Sequence, residues 1–92
     1  LEEENGFTIY PNPVKESLTL TLSKGEGTAF CKFKIFDVMG KEYFKDNIIF
    51  KDGSYSFSFG DVPIAIGGIE AGVYFVEVST PKNIYIRKFI KL

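Results

Sequence analysis

The fold of this chain is decided by the stretch Ile69-Glu70-Ala71-Gly72-Val73-Tyr74-Phe75-Val76-Glu77-Val78, a turn followed by the densest apolar run in the sequence. On a strand, the side chains at 74, 76 and 78 point to one face and those at 73, 75 and 77 to the other. Apolar residues on both faces are typical of a central strand that has a neighbour on each side and a second layer beneath it. Tyr74, just past the turn, favours a tyrosine corner, in which the hydroxyl bonds to upstream backbone.

The composition bounds the class of protein. The 92 residues suffice for one small domain, and an apolar fraction of 45% argues against a disordered chain. A formal net charge of −1 gives no general attraction to nucleic acid or to an anionic membrane, so we predict no nucleic-acid partner. Cys31 is the single cysteine, which excludes an intrachain disulfide.

Short alternating segments occupy most of the remaining chain. They predict strands over residues 7–10, 17–22, 29–36, 41–44, 48–50, 54–59 and 84–91, besides the central one. Turns are predicted at residues 37–40, 46–47, 52–53 and 80–83, with a glycine-rich loop at 23–27 and an irregular segment at 60–68. The pattern predicts an all-β fold, an immunoglobulin-like antiparallel β-sandwich of about seven strands in two sheets. In it, we expect Val76 to pack against the leucine face of residues 18, 20 and 22.

Nothing in the sequence supports catalysis or metal binding. The absence of histidine excludes Ser-His-Asp and Cys-His systems, and a zinc site would have to combine Cys31 with scattered carboxylates. The aspartates at 37, 46, 52 and 61 all fall at predicted turns, where aspartate is favoured for its backbone hydrogen bonds. We therefore predict no catalytic residue, no metal, no cofactor and no enzymatic activity.

The last predicted strand is the segment best suited to recognition. We expect Ile84, Ile86 and Ile90 to face the core, and the residues at 85, 87, 89 and 91 to form an outer face that mixes aromatic and basic side chains. As an edge strand it would offer unpaired backbone groups for strand addition, but Arg87, Lys88 and Lys91 equally suit gatekeepers against aggregation.

The segment Pro11-Asn12-Pro13 interrupts the chain after the first strand. Two prolines fix φ and remove two backbone donors, so this piece cannot be a paired central strand. We predict a stiff corner that keeps the preceding linker out of the sheet. A second role, presenting that linker to a peptidase, is a hypothesis.

Three landmarks in this order resemble the C-terminal sorting domain (type A) of the type IX, or Por, secretion system of Bacteroidetes. They are Tyr10-Pro11-Asn12-Pro13 with the alternating residues 18–22; Phe33-Lys34-Ile35-Phe36-Asp37-Val38-Met39-Gly40-Lys41; and the central stretch at 69–78, closing with Arg87-Lys88-Phe89-Ile90-Lys91-Leu92. The resemblance covers residues 7–92, although the segment at 60–68 is longer and more apolar than is common in the family.

The resemblance implies a signal that directs a larger cargo protein, preceding it in the same polypeptide, through the secretion machinery at the outer membrane. Such a signal crosses the periplasm, reaches the outer membrane, cell surface or medium, and is removed in many proteins by a sortase-like peptidase. Residues 1–6 would then be a linker and residues 7–92 the sorting domain. Recognition is expected at Arg87, Lys88, Phe89, Ile90, Lys91 and Leu92, and structural landmarks are expected at Tyr10, Pro11, Asn12, Pro13, Asp37, Gly40, Gly72 and Tyr74.

Two other functions fit the residues alone. One is a generic immunoglobulin-like spacer or carbohydrate-binding module of an extracellular enzyme. The other is a small adhesin domain that dimerises through its edge strands, and a homodimer of that kind is also open to a sorting domain.

Overall fold

In a computed structural model of the chain, the structure describes residues 7–22, 29–61, 69–81 and 83–92. The expected linker at 1–6, the glycine-rich loop at 23–27, most of the irregular segment at 60–68 and Lys82 of the last turn lie outside the described residues.

The described residues form seven strands in two antiparallel sheets, which confirms the predicted sandwich. The strands are β1 (Phe7–Tyr10), β2 (Ser17–Leu22), β3 (Ala29–Asp37), β4 (Glu42–Phe50), β5 (Ser54–Ser58), β6 (Gly72–Ser79) and β7 (Ile84–Lys91), with a 3₁₀ turn at Phe59–Asp61. The sheet orders are β1-β2-β5 and β4-β3-β6-β7. Among the described residues, no helix has the length and apolar character needed to cross a membrane.

Strand β6 is central, as its sequence predicts. It pairs with β3 on one side and with β7 on the other. Tyr74, Val76 and Val78 are buried, and Val73 on the opposite face is exposed. Val76 belongs to the same buried cluster as Leu18 and Leu20 of the other sheet, as expected from the leucine alternation in β2. This cluster lies between the two sheets and forms the core against which β7 packs through Phe89.

The predicted break at Asp46-Asn47 is wrong, because β4 runs without interruption from Glu42 to Phe50. Asp46 pairs with Phe33 and Asn47 with Lys32 in a continuous ladder along β3. Both polar side chains are exposed, so they lose little hydration in the strand while the backbone keeps its inter-strand hydrogen bonds. The regular pairing of residues 29–35 with residues 44–50 therefore overrides a local turn signal.

The predicted strand at 54–59 also ends one residue early. Phe59 begins the 3₁₀ turn, and its amide donates to the carbonyl of Glu16 at 3.0 Å. The turn between β4 and β5 is built by Asp52 and Gly53, whose φ angles of 55° and 77° match a type I′ turn. This turn carries the chain from one sheet to the other.

Candidate functional site: the terminal edge

Strand β7 faces the opposite way from the predicted orientation. Phe89 is fully buried, whereas Ile84, Ile86 and Ile90 are 64%, 47% and 42% exposed. The reason is the register with β6, in which Tyr74 pairs with Phe89. Cross-strand partners point to the same face of a sheet, so the buried face of β6 selects the odd-numbered residues of β7 for the core.

Phe89 fills the core between two other aromatic rings. Its ring stacks on Tyr74 at a centroid distance of 5.8 Å and lies 5.8 Å from the ring of Phe59. Of the six predicted recognition residues, Phe89 is thus a core residue, and a partner has no access to it in the folded domain. Lys88, Ile90 and Leu92 are exposed on the other side.

The segment from Tyr10 to Val14 lies along the outer edge of β7. Val14 is fully buried, and its amide donates to the carbonyl of Ile90 at 2.8 Å. The amide of Leu92 donates in turn to the carbonyl of Val14, also at 2.8 Å, which gives a parallel bridge between Val14 and Lys91. The Tyr10–Pro11 and Asn12–Pro13 peptide bonds in this segment are cis.

Asn12 extends this contact by one more pair of hydrogen bonds. Its side-chain Oδ1 accepts from the amide of Ile90 at 2.9 Å, and its Nδ2 donates to the carbonyl of Lys88 at 3.3 Å. We use the name terminal edge for residues 88–92, which are the C-terminal half of β7 followed by Leu92, together with residues 10–14 docked on them. The expectation of an open edge is therefore wrong here, since backbone groups from Lys88 to Leu92 already have partners.

The three basic residues of β7 differ in their surroundings. Arg87 ties β7 to β1, because its Nε donates to the carbonyl of Phe7 at 3.0 Å and its guanidinium lies 5.2 Å from the centre of the Phe7 ring. The Nζ of Lys91 lies 5.4 Å from the centre of the Phe59 ring. Lys88 is exposed, and it is the cation of the three that is best placed to meet a partner.

The tyrosine corner is present as predicted. The hydroxyl of Tyr74 donates to the carbonyl of Glu70 at 2.7 Å. Burial raises the pKa of Tyr74, and the charges of Glu70 and Asp37 act in the same direction. Gly72 has a φ of +155°, and a Cβ at this position would lie 3.6 Å from the Tyr74 ring. The corner fixes the tyrosine on which Phe89 stacks.

The Asp37–Gly40 turn is also present as predicted, with Gly40 (φ 87°) donating its amide to the carbonyl of Asp37 at 2.9 Å. The Asp37 carboxylate accepts from the amides of Met39 and Lys41 and, at 2.9 Å, from the hydroxyl of Tyr43. Desolvation alone would raise the pKa of Asp37, but these hydrogen bonds outweigh it and hold that pKa below its ordinary value.

This turn is linked to β7 by a series of aromatic contacts. The ring of Tyr43 meets that of Tyr74 edge-on at 5.4 Å, and Tyr74 stacks on Phe89. The hydrogen bond to Asp37 is the main cause that raises the pKa of Tyr43. All three sequence landmarks therefore act on β7: the proline segment on its edge, and the other two on its buried face.

Sequence reasoning missed the role of Asn12. It identified the residue only as part of a stiff corner. In the structure the side chain bonds to Lys88 and Ile90, which follow Asn12 by 76 and 78 positions in the sequence. The available signal was the polar residue between two prolines, neither of which has an N–H to donate.

The outward surface of the terminal edge is mainly apolar. Tyr10 is 51% and Leu92 60% exposed, and Ile90 lies beside its cross-strand partner Val73. No three His, Cys, Asp or Glu residues in the described ranges are grouped to hold a metal ion. The arrangement offers exposed apolar side chains for contact with a macromolecular partner.

A model of the secretion system C-terminal sorting domain matches residues 8–92. The chain belongs to this family. The match confirms the resemblance to the C-terminal sorting domain of the type IX secretion system, so the function of the domain is that of a sorting signal in protein secretion. Such a domain directs the polypeptide that carries it to its secretion machinery and so to the cell surface or the medium. A search of curated proteins gave no significant match.

Two solved structures from Porphyromonas gingivalis share the fold. One is PorZ, a surface component of the type IX secretion system, with a TM-score of 0.64 and 22% identity over 95% of this chain and 11% of that protein. The other is dimeric latent PorU, with a TM-score of 0.58 and 20% identity over 94% of this chain and 9% of that protein. The sorting domain thus spans about a tenth of either protein.

Proposed function

We propose that this sorting domain is read at the exposed side chains of its terminal edge by the type IX machinery at the outer membrane, and is then removed by a sortase-like peptidase. Residues 7–92 are the folded signal and residues 1–6 the linker to an N-terminal cargo. The cargo crosses the periplasm and reaches the outer membrane, the cell surface or the medium. The domain itself catalyses nothing, and the chain has no histidine to serve as a general base near neutral pH.

One observation carries the proposal of the recognition surface. Lys88 and Ile90 project from the one strand on which all three family landmarks act, and Leu92 follows directly after that strand. All three residues are exposed although their backbones are fixed by hydrogen bonds. A surface whose backbone is already ordered loses little conformational entropy when it is bound. The linker also joins the domain beside this strand, since the carbonyl of Phe7 is bonded to Arg87. A receptor and a peptidase would therefore work on neighbouring parts of the molecule.

A homodimer through edge strands stays a prediction. The segment docked along residues 88–92 occupies half of the β7 edge. A second copy would therefore have to pair with the other half of β7, with β4 or with an edge of the three-stranded sheet.

The test is to fuse the whole chain behind a reporter that carries a Sec signal, in a bacterium that has the type IX system. We expect the reporter outside the wild-type cell, and in the periplasm of an isogenic strain whose outer-membrane translocon is inactivated. Export that does not depend on the translocon, or a reporter held in the periplasm of both strains, would contradict the sorting function and favour a spacer or a carbohydrate-binding module.

The recognition surface needs substitutions rather than a deletion, because deleting residues 88–92 removes the core residue Phe89. We expect the pair Lys88→Glu and Ile90→Ser to abolish export. The matched control is Lys45→Glu with Ile49→Ser on β4, the opposite edge of the same sheet, where Ile49 is 39% exposed against 42% for Ile90. Equal export of both double variants would show that the terminal edge is not what the machinery reads.

A further inference from the structure

We propose that Asn12 is a positioning residue whose side-chain amide replaces a strand peptide group, and that it thereby joins the two ends of the domain into one recognition element. The structural half of the proposal stands on hydrogen bonds alone. Its consequence for export rests on the proposed function.

The hydrogen-bond pattern on the edge of β7 is that of a parallel strand. A residue of a parallel strand donates its N–H to one edge carbonyl and accepts, on its own C=O, from the amide two positions further along. Val14 does this with the carbonyl of Ile90 and the amide of Leu92. Asn12 does the same two residues earlier, with the carbonyl of Lys88 and the amide of Ile90, but it uses only its side chain.

An amide side chain reproduces this pair with two adjacent atoms, one that accepts and one that donates. The Ile90 amide can only donate and the Lys88 carbonyl can only accept, so the edge requires one acceptor and one donor side by side, as Asn12 supplies. Asn12 stands between two prolines, neither of which has an N–H, and it is the side chain of Asn12 that makes these two bonds. The Asn12 side chain therefore extends the parallel hydrogen-bond ladder by one step on the N-terminal side of Val14.

The position of this contact matters because β7 lies at the edge of its sheet, and edge strands open locally more readily than central ones. Phe89 anchors β7 from the core side, whereas Asn12 and Val14 anchor it from the edge. The exposed side chains of Lys88 and Ile90 lie between these anchors. Loss of the Asn12 contact would release them while the core remains packed.

The first experiment measures amide hydrogen exchange in the 92-residue chain. Asn12→Leu removes both hydrogen bonds at similar side-chain size, and we expect exchange at Ile90 to be about 10- to 100-fold faster, as the loss of two hydrogen bonds predicts. Asn12→Asp keeps the acceptor and loses the donor, so its effect is smaller. Exchange at Val76, in the central strand, stays unchanged, which separates local release from global destabilisation.

The matched control is Asn47→Leu, at an exposed asparagine of β4 on the opposite edge of the sheet. It leaves Ile90 unaffected. Unchanged exchange at Ile90 in Asn12→Leu, or an equal acceleration at Val76, would overturn the positioning role.

The second experiment measures export of the reporter fusion with the same three variants. We expect the most export from Asn47→Leu, less from Asn12→Asp and the least from Asn12→Leu. Export then decreases as the exchange rate at Ile90 increases. If the wild-type fusion is exported and Asn12→Leu is exported equally well although its Ile90 amide exchanges faster, the proposal that Asn12 joins the two ends into one recognition element is refuted. If the wild-type fusion itself is not exported, the proposed function fails, and the exchange rates still decide whether Asn12 holds the strand.

Discussion

Replacing Phe89 and Ile90 separately by alanine tests which face of β7 is buried. The two residues are adjacent, and each substitution leaves the backbone amide in place. In the structure Phe89 is fully buried between Tyr74 and Phe59, whereas Ile90 is 42% exposed. From the sequence alone we predicted the opposite, with Ile90 in the core and Phe89 outside.

The structure gives very different magnitudes for the two changes. A fully buried phenylalanine truncated to alanine costs about 3–5 kcal/mol, because the transfer free energy is lost and a cavity remains between the neighbouring rings. At Ile90 three carbon atoms are removed from a half-exposed side chain. At about 0.8 kcal/mol for each fully buried CH₂, this costs about 1 kcal/mol.

The assay is urea unfolding of the 92-residue chain, followed by far-UV circular dichroism. With a slope of about 1.5 kcal/mol per molar urea, Phe89→Ala lowers the midpoint by roughly 2–3 M and Ile90→Ala by less than about 1 M. A domain of this size has only about 5–15 kcal/mol of stability, so a milder Phe89→Leu variant is measured beside it. If Ile90→Ala cost as much as Phe89→Ala, our orientation of β7 would be wrong.

Three further substitutions test the core, the tyrosine corner and the turn that supports it. Val76→Asp should abolish the cooperative unfolding transition, because it buries an unpaired charge in the central strand, and a folded variant by circular dichroism would contradict the assignment. Tyr74→Phe should cost about 1–2 kcal/mol in urea unfolding, as it removes the hydroxyl that bonds to the Glu70 carbonyl; no change would mean that this bond is not stabilising. Tyr43→Phe should lower the free energy of unfolding at neutral pH, because the Tyr43 hydroxyl stabilises the Asp37 carboxylate. The difference from wild type should shrink as the pH falls through the depressed pKa of Asp37. Urea midpoints whose difference does not depend on pH would contradict this role of the hydroxyl.

The parts of the fold that were predictable have local signals. Strand β6 carries apolar residues on both faces, which is sufficient to predict a central strand, and Tyr74 follows a turn at the spacing of a tyrosine corner. Asp37 and Gly40 occupy the first and fourth positions of their turn, where their preferences are strong. In each case the residues that decide the structure lie within a few positions of one another.

The orientation of β7 was not predictable in this way. Both faces of the strand carry apolar side chains, with isoleucines at even positions and Tyr85 and Phe89 at odd ones, so alternation alone does not distinguish them. The choice is made by the register with β6, which places Phe89 opposite the buried Tyr74. Register is a tertiary property, and a shift of one residue would invert every side chain.

The same limit explains why Asn12 was missed. A polar residue between two prolines favours a corner, and nothing in the neighbouring sequence indicates what its amide will bond to. Its partners, Lys88 and Ile90, are 76 and 78 positions away in the sequence and are neighbours of Asn12 only in the folded domain. A contact between the two ends of a domain leaves no periodic trace in the sequence.

The convergence of the landmarks on one strand has a consequence for how sorting signals are dissected. Deleting the last five residues removes the exposed Lys88 and Ile90 together with the buried Phe89, so the loss of export after such a deletion follows equally from failed recognition and from failed folding. Substitution of Lys88 and Ile90 changes exposed side chains of β7 and leaves the core intact. Substitution of Asn12 removes the edge contact of β7 and leaves Lys88, Ile90 and the core as they are. The three perturbations together separate what the receptor contacts from what holds it in place.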